Sequence, residues 1–406
     1  MVFNILKKNN FRNLFFADII SGFGTGISLI GANWFLMAQT KSVKSIGFML
    51  AINVFAGLII FPFVGILTDK FNRKSIIFWT NLIRAIGVFI IACTLLFSSF
   101  KIYFFYFFAV INGMGWSLYM AASKSLVQEL LTKEDLIKGN SLIEISSQVG
   151  AFISAALSGI MYKYLGFWVI LMFNTGAFVI SNIFLFFINY NPISAEDNEL
   201  SFYVQFKNGI RYLYQNVDIF LIGIISVIPC VATMTYNVVM PGYVNKILNG
   251  DSIVFGLADM FYGIGGFLSG FIAAMMAKKI SRNGTIVLFY LISCGVMIAA
   301  ALNNYLFILY VVSALFGLSN SSLRIVINTI IMETVPKSFM GRTMSVWTAI
   351  SLLFQTASAT GVGIMIDFFT ARIGFIYISL TMILGIILWF FLLYKVKGKF
   401  SIEIGY

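Results

Sequence analysis

Apolar runs of roughly 20 residues, each long enough to cross the hydrocarbon core of a bilayer as an α-helix, follow one another along the whole chain. They fall at about residues 14–37, 46–68, 75–98, 102–123, 140–163 and 167–190. A second set follows at about 218–241, 253–277, 284–302, 305–328, 340–366 and 373–395. Between the sets lies the most polar stretch, Asn191 to Val217, which carries Glu196, Asp197, Glu199, Lys207 and Arg211. Its second part, Ser201 to Gln215, reads as an amphipathic helix lying on a membrane surface. The pattern predicts twelve spans.

Charge placement orients them. With the N-terminus inside, the inner segments hold nineteen Lys and Arg, from Lys7, Lys8 and Arg12 to Lys395, Lys397 and Lys399. The outer loops hold six: Lys41, Lys44, Lys101, Lys163, Lys246 and Arg372. Basic residues accumulate on the cytoplasmic side, so both termini are expected there, in a multi-pass protein of the cytoplasmic membrane. The first apolar run begins near Leu14 and is long enough to span, so a first transmembrane helix is expected there and not a cleavable signal.

Composition agrees. Of 406 residues, 60% are hydrophobic and 10% charged, and the mean hydropathy is +0.95. The net charge of +12 does not point to nucleic acid, because the cations are spread through short loops and form no stripe. Cys93, Cys230 and Cys294 sit inside apolar runs without metal spacing and read as small buried hydrophobes.

The two sets of spans are related. A shift of 204 residues places Glu129 on Glu333, Lys133 on Lys337, Lys138 on Arg342 and Gly159-Ile-Met161 on Gly363-Ile-Met365. The loop after the second span reads Gly65-Ile-Leu-Thr-Asp-Lys-Phe-Asn-Arg-Lys74. Gly65 would permit close helix approach, Asp69 would pair with cations or face a helix N-terminus, and Lys70, Arg73 and Lys74 would hold the loop inside. In the second half Gly270, Lys278 and Lys279 match Gly65, Arg73 and Lys74, but Ala274 stands where Asp69 should be.

That loop resembles the signature between helices 2 and 3 of the major facilitator superfamily, with Lys70 in place of the usual Arg. The resemblance implies an all-α integral membrane fold: twelve transmembrane helices in two pseudo-symmetric six-helix bundles, at 1–190 and 218–406, joined by a cytoplasmic linker at 191–217. It also implies a binding site near mid-membrane between the halves and a gating role for the first-half motif. Further segments resemble the macrolide-efflux-like drug:proton antiporters: Phe11-Arg-Asn-Leu-Phe-Phe-Ala17 with Ile20-Ser-Gly-Phe-Gly24, Leu131 to Leu142, and Val335 to Arg342. There are departures. Thr25 stands where many relatives carry an acid, and Asp18 where they carry a neutral polar residue.

Polar side chains inside the spans locate the chemistry, because charge in hydrocarbon is costly. Asp18, Arg84, Glu144, Asp259 and Arg324 qualify. At 100° per residue, Asp18, Ser21 and Thr25 share a face of the first span, with Asn33 at its edge. Asn112, Trp116, Tyr119 and Ser123 line the fourth, and Ser313, Gly317, Asn320 and Arg324 the tenth. Small and polar stripes are also how membrane helices pack, and a structural ion pair is the role expected of Arg84 ahead of a functional one. The chain has no histidine, so proton coupling would fall to the carboxylates Asp18, Glu144 and Asp259. Substrate would meet Arg324, Asn320, Asn112, Trp116, Tyr119, Thr25, Asn33 and Arg84.

No P-loop, metal cluster or nucleophile–base set is found, so neither an enzyme nor a cofactor is expected. The expected function is secondary export, by proton antiport, of an amphipathic drug-like molecule. The expected partners are that substrate, protons and the bilayer, with the chain acting as a monomer and without nucleic acid. One alternative is export of a polar anionic metabolite such as a siderophore, and another is a non-transporting membrane sensor or scaffold.

Overall fold

The structure, a computed structural model, describes residues 2–97, 101–189 and 202–396. Every regular element among these residues is helical. After a 3-10 turn come α1 (Asn9–Thr40), α2 (Val43–Lys70), α3 (Arg73–Phe97), α4 (Ile102–Leu130), α5 (Lys133–Leu165) and α6 (Phe167–Phe186). The second series is α7 (Phe202–Gln215), α8 (Val217–Lys246), α9 (Ser252–Leu302), α10 (Leu306–Thr334), α11 (Lys337–Phe368) and α12 (Ala371–Val396). Helix is the form available to a chain in hydrocarbon, where backbone groups have no water to bond.

α9 holds two of the predicted spans. Its run is broken at Ile280 and at Ser281, whose φ of 68° is left-handed and uncommon for a residue other than glycine. With α9 counted as two and α7 set aside, each predicted span has its helix. Ten helices among the described residues are long and apolar enough to cross a membrane, and the apolar part of α5 is the shorter Val149–Leu165. α7 occupies the predicted amphipathic stretch. The linker residues 191–201, with Glu196, Asp197 and Glu199, lie outside the described residues.

Chain contacts divide the molecule into two units. The first comprises Met1–Phe202 and Gly250–Met260, the second Tyr203–Asn249 and Phe261–Tyr406. In the first, α1 packs on α5 and α6, α2 on α4, and α3 on α4 and α6. In the second, α8 packs on α10, α11 and α12.

Glycines explain why the first turns of α9 group with the first unit. A Cβ at Gly256 would lie 2.5 Å from the Ala155 carbonyl oxygen and 3.1 Å from Gly159 Cα. One at Gly159 would collide with the Ser252 carbonyl. Backbone meets backbone here, as small residues allow in membrane helices. Asp251 anchors the crossing: one oxygen accepts from the Ile253 and Val254 amides (3.0 and 3.1 Å), capping α9, and the other accepts from Lys163 at 2.7 Å. Burial alone would raise the Asp251 carboxyl, but the bonds from Lys163 and the two amides hold it below the ordinary carboxylate range. Ser252 donates to the Gly159 carbonyl (2.8 Å), and Trp34 stacks on Phe255 at 5.7 Å.

Pro229 shows how the second unit repairs a broken ladder. It has no N–H for the carbonyl of Ile225 one turn earlier, and Tyr290 donates its hydroxyl to that oxygen at 3.2 Å.

Candidate functional site

Asp18 stands three turns into α1, and its carboxylate is met by two hydroxyls from α4. Tyr119 donates to Oδ1 at 2.5 Å, and Ser123 donates to Oδ2 at 2.7 Å. Tyr119 and Ser123 are one turn apart and therefore on one face, which points both at the same acid. The Tyr119 oxygen in turn accepts from Ser21 at 3.0 Å. An ionised carboxylate only accepts, so both hydroxyl protons are committed to it here.

The chain of bonds continues to a buried cation. Thr25 donates to the Ser21 carbonyl (2.7 Å) and accepts from Arg84 Nη2 at 2.9 Å. The same nitrogen donates to Asn112 Oδ1 at 3.0 Å, and the guanidinium lies 4.3 Å from the centroid of the Phe178 ring. Arg84 is 1% exposed and its Nε has no partner among the described residues. A Cβ at Gly115 would sit 2.5 Å from Arg84 Cδ, so the absence of a side chain on α4 makes the seat. Arg84 meets neutral acceptors and a ring, and no ion pair to it is formed among the described residues. α1, α3, α4 and α6 thus enclose one acid and one cation joined through Tyr119, Ser21 and Thr25.

Other expected site residues fall elsewhere. Trp116 shares the α4 stripe by sequence but is 44% exposed. Asn33 is buried with an unpartnered Oδ1. Asp259 is half-buried and takes no hydrogen bond or ion pair among the described residues. The side chains of Glu144 and Asp69 lie outside the described residues. In the second unit Asn320 is fully buried, and its amide nitrogen donates to Thr233 (2.7 Å) and to the Pro229 carbonyl (3.2 Å), which ties α10 to α8. Arg324, one turn on, is exposed. Cys294 is buried, whereas Cys93 and Cys230 are half-buried, against the reading of all three as buried.

The loop motif has a different local role from the one its glycine suggested. A Cβ on Gly65 would meet nothing within 4 Å, and the same holds for Gly270. Among the described residues of its own unit, neither glycine serves a close helix approach. Arg73 pairs with Glu129 at the end of α4. Lys74 donates to the Ile188 and Phe186 carbonyls (2.7 and 3.3 Å), covering the end of α6. Asn72 accepts from the Lys74 amide at 2.9 Å and starts α3. In the second half Glu333, the counterpart of Glu129, pairs with Arg282, although Lys278 and Lys279 are the residues that match Arg73 and Lys74.

Sequence reasoning did not find Phe178, Gly115 or Arg282. Gly115 carried a signal, since it follows Asn112 at helical spacing on the same side of α4. Phe178 carried none, because ring–guanidinium stacking leaves no pattern along a chain.

A family model described as Major Facilitator Superfamily matches residues 14–238 and 219–404. Macrolide efflux protein A of Streptococcus pyogenes is 19% identical over 377 residues, covering 91% of this chain and 92% of that protein. The MFS-type transporter YvqJ of Bacillus subtilis (strain 168) is 21% identical over 335 residues, covering 81% and 79%. The crystal structure of nucleoside transporter NupG superposes with a TM-score of 0.74 at 12% identity, over 97% of this chain and all of that one, a likeness of fold.

Proposed function

The chain belongs to the major facilitator superfamily, and from that premise we propose that it is a secondary active exporter working by alternating access. It exchanges protons for an amphipathic small molecule of the macrolide-like kind. The observation that carries this reading is Asp18, a carboxylate held inside a membrane span by Tyr119 and Ser123. The name of the efflux relative supports the direction of transport.

The chemistry runs through hydroxyl reorientation. A protonated carboxyl has one donor, so one of its two hydroxyl partners must turn to accept. Tyr119 already accepts from Ser21, whereas Ser123 makes no other hydrogen bond among the described residues, so Ser123 is the one assigned to turn and Oδ2 the oxygen that carries the proton. Proton uptake therefore rewrites the contact between α1 and α4, and the two protonation states favour different conformations. Arg84 compensates the charge of the ionised acid from within the same network. Asp259 and Glu144 are the further carboxylates open to this role.

The halves at 1–190 and 218–406 would move about the linker at 191–217, with both termini cytoplasmic and the chain a monomer. Asp69, Lys70, Arg73 and Lys74 would form the inner gate, so that Asp69→Asn keeps expression but slows transport. A second reading, export of a polar anionic metabolite, is favoured by the exposed Arg324. A thermal-shift screen of the purified protein against macrolides and metallophores separates the two, since a ligand stabilises by RT ln(1 + [L]/Kd). Stabilisation by metallophores alone contradicts the first reading.

A further inference from the structure

We propose that the exposed face of α7 is a docking surface for anionic phospholipid headgroups, and that lipid charge is passed through it to the start of α11. This goes beyond the transport reading and does not depend on which substrate or ion is carried.

Position comes first. Asn216 alone separates α7 from α8, a membrane span, so α7 is held at the membrane boundary and has no reach into solution. At 100° per residue, Val204, Lys207, Ile210, Arg211 and Tyr214 fall within an arc of about 120°. All five are exposed, Ile210 by 49% and Tyr214 by 86%. Ile210 and Tyr214 lie at one edge of the arc, and Lys207 and Arg211 beside them. Cations flanked by Ile210 and Tyr214 on one side and Val204 on the other suit a helix lying between acyl chains and phosphates.

Among the described residues the two cations are uncompensated. Lys207 and Arg211 form no ion pair among the described residues, and Asp218, the nearest described acid along the chain, is engaged by Lys395 at 3.3 Å. A phosphodiester matches this pair, since Arg binds it with a two-pronged fork and Lys adds a point charge. A soluble polyanion would leave Ile210 and Tyr214 in water.

The opposite face of α7 is locked to α11. Gly209 and Leu213 are buried, and a Cβ at Gly209 would sit 2.6 Å from the Arg342 carbonyl oxygen. Tyr212 stacks on Phe339 at 4.3 Å with an interplanar angle of 15°. Any pull of headgroups on α7 therefore loads the first turns of α11 through a backbone contact and a ring pair.

The test uses the full chain in mixed vesicles of phosphatidylglycerol and phosphatidylcholine, with co-purifying lipid counted by native mass spectrometry. The wild type should retain phosphatidylglycerol in preference, and Lys207→Gln with Arg211→Gln should cut that preference about tenfold, at roughly a fewfold per cation. Lys207→Arg with Arg211→Lys should keep it. Amide exchange over residues 339–346 should be slower in phosphatidylglycerol than in phosphatidylcholine for the wild type, and equal in the two lipids for the double Gln variant. Equal retention by wild type and double Gln variant overturns the docking surface. Displacement of the lipid by millimolar inorganic phosphate assigns the surface to soluble anions and overturns it too. Lipid-independent exchange over 339–346 in the wild type overturns the link to α11.

Discussion

The Tyr119 hydroxyl lies 2.5 Å from one oxygen of Asp18, and the two residues, 101 positions apart in sequence, are brought together from α4 and α1. Tyr119→Phe removes that donor and leaves the Ser21 hydroxyl only its longer bond to the Asp18 carbonyl at 3.3 Å. A hydrogen bond to a charged group contributes about 1.5–3 kcal/mol, so the variant should be less stable by about 2 kcal/mol and slower in transport. Thermal unfolding in detergent and efflux from vesicles measure the two. An unchanged melting temperature would mean that the bond is not made.

Arg84 is expected to be intolerant of replacement. Arg84→Ala discards its bonds to Thr25 and Asn112 and the contact with Phe178, and should destabilise by about 2–4 kcal/mol. Gly115→Ala should act on the same residue from the other side, because the new methyl takes the space of Arg84 Cδ. If Gly115→Ala matches the wild type in stability and transport while Arg84→Ala fails, the seat is looser than its geometry implies.

The crossing of α5 and α9 gives a contrast between backbone contact and surface charge. Gly256→Val should be severe, since overpacking typically costs about 1–3 kcal/mol and the obstacle is the Ala155 backbone. Lys163→Ala should be mild, because both members of the pair with Asp251 are 45% exposed and solvent screens such pairs. Thermal stability of the two variants decides it, and an equal loss in both would contradict this ranking.

Arg324 separates substrate classes. Being exposed, it should accept Ala with a stability change within about 0.5 kcal/mol. Its loss should weaken binding of an anionic ligand strongly, with Arg324→Lys intermediate because Lys lacks the planar fork. Titration calorimetry with neutral and anionic candidates reads this out. Unchanged affinity for an anionic ligand in Arg324→Ala removes the residue from the substrate path.

The sequence made the spans legible because hydrocarbon imposes one length and one polarity on each, and α1 to α4 and α6 follow from that alone. Asp18 was legible for the same reason, as an acid where acids are costly. Its partners were not, because helix crossing angles decide which side chains meet. Asn112, Trp116 and Tyr119 share a stripe on paper, yet Asn112 and Tyr119 are 3% exposed and Trp116 is 44% exposed. The pairing of Glu333 with Arg282 was hidden by the left-handed turn at Ser281, which re-aims the chain after Lys278 and Lys279. Gly65 was read as a contact residue and stands open, since a glycine in a motif does not say which neighbour, if any, needs the space.

The central claim is that Asp18 carries the transported proton. Proteoliposomes loaded with a pH-sensitive dye report proton movement when a transported macrolide-like substrate is added. Wild type should move protons in the direction opposite to substrate, and Asp18→Asn, which keeps the shape and removes the charge, should bind substrate yet move no protons. Asp18→Asn with undiminished substrate-evoked proton movement would contradict the account.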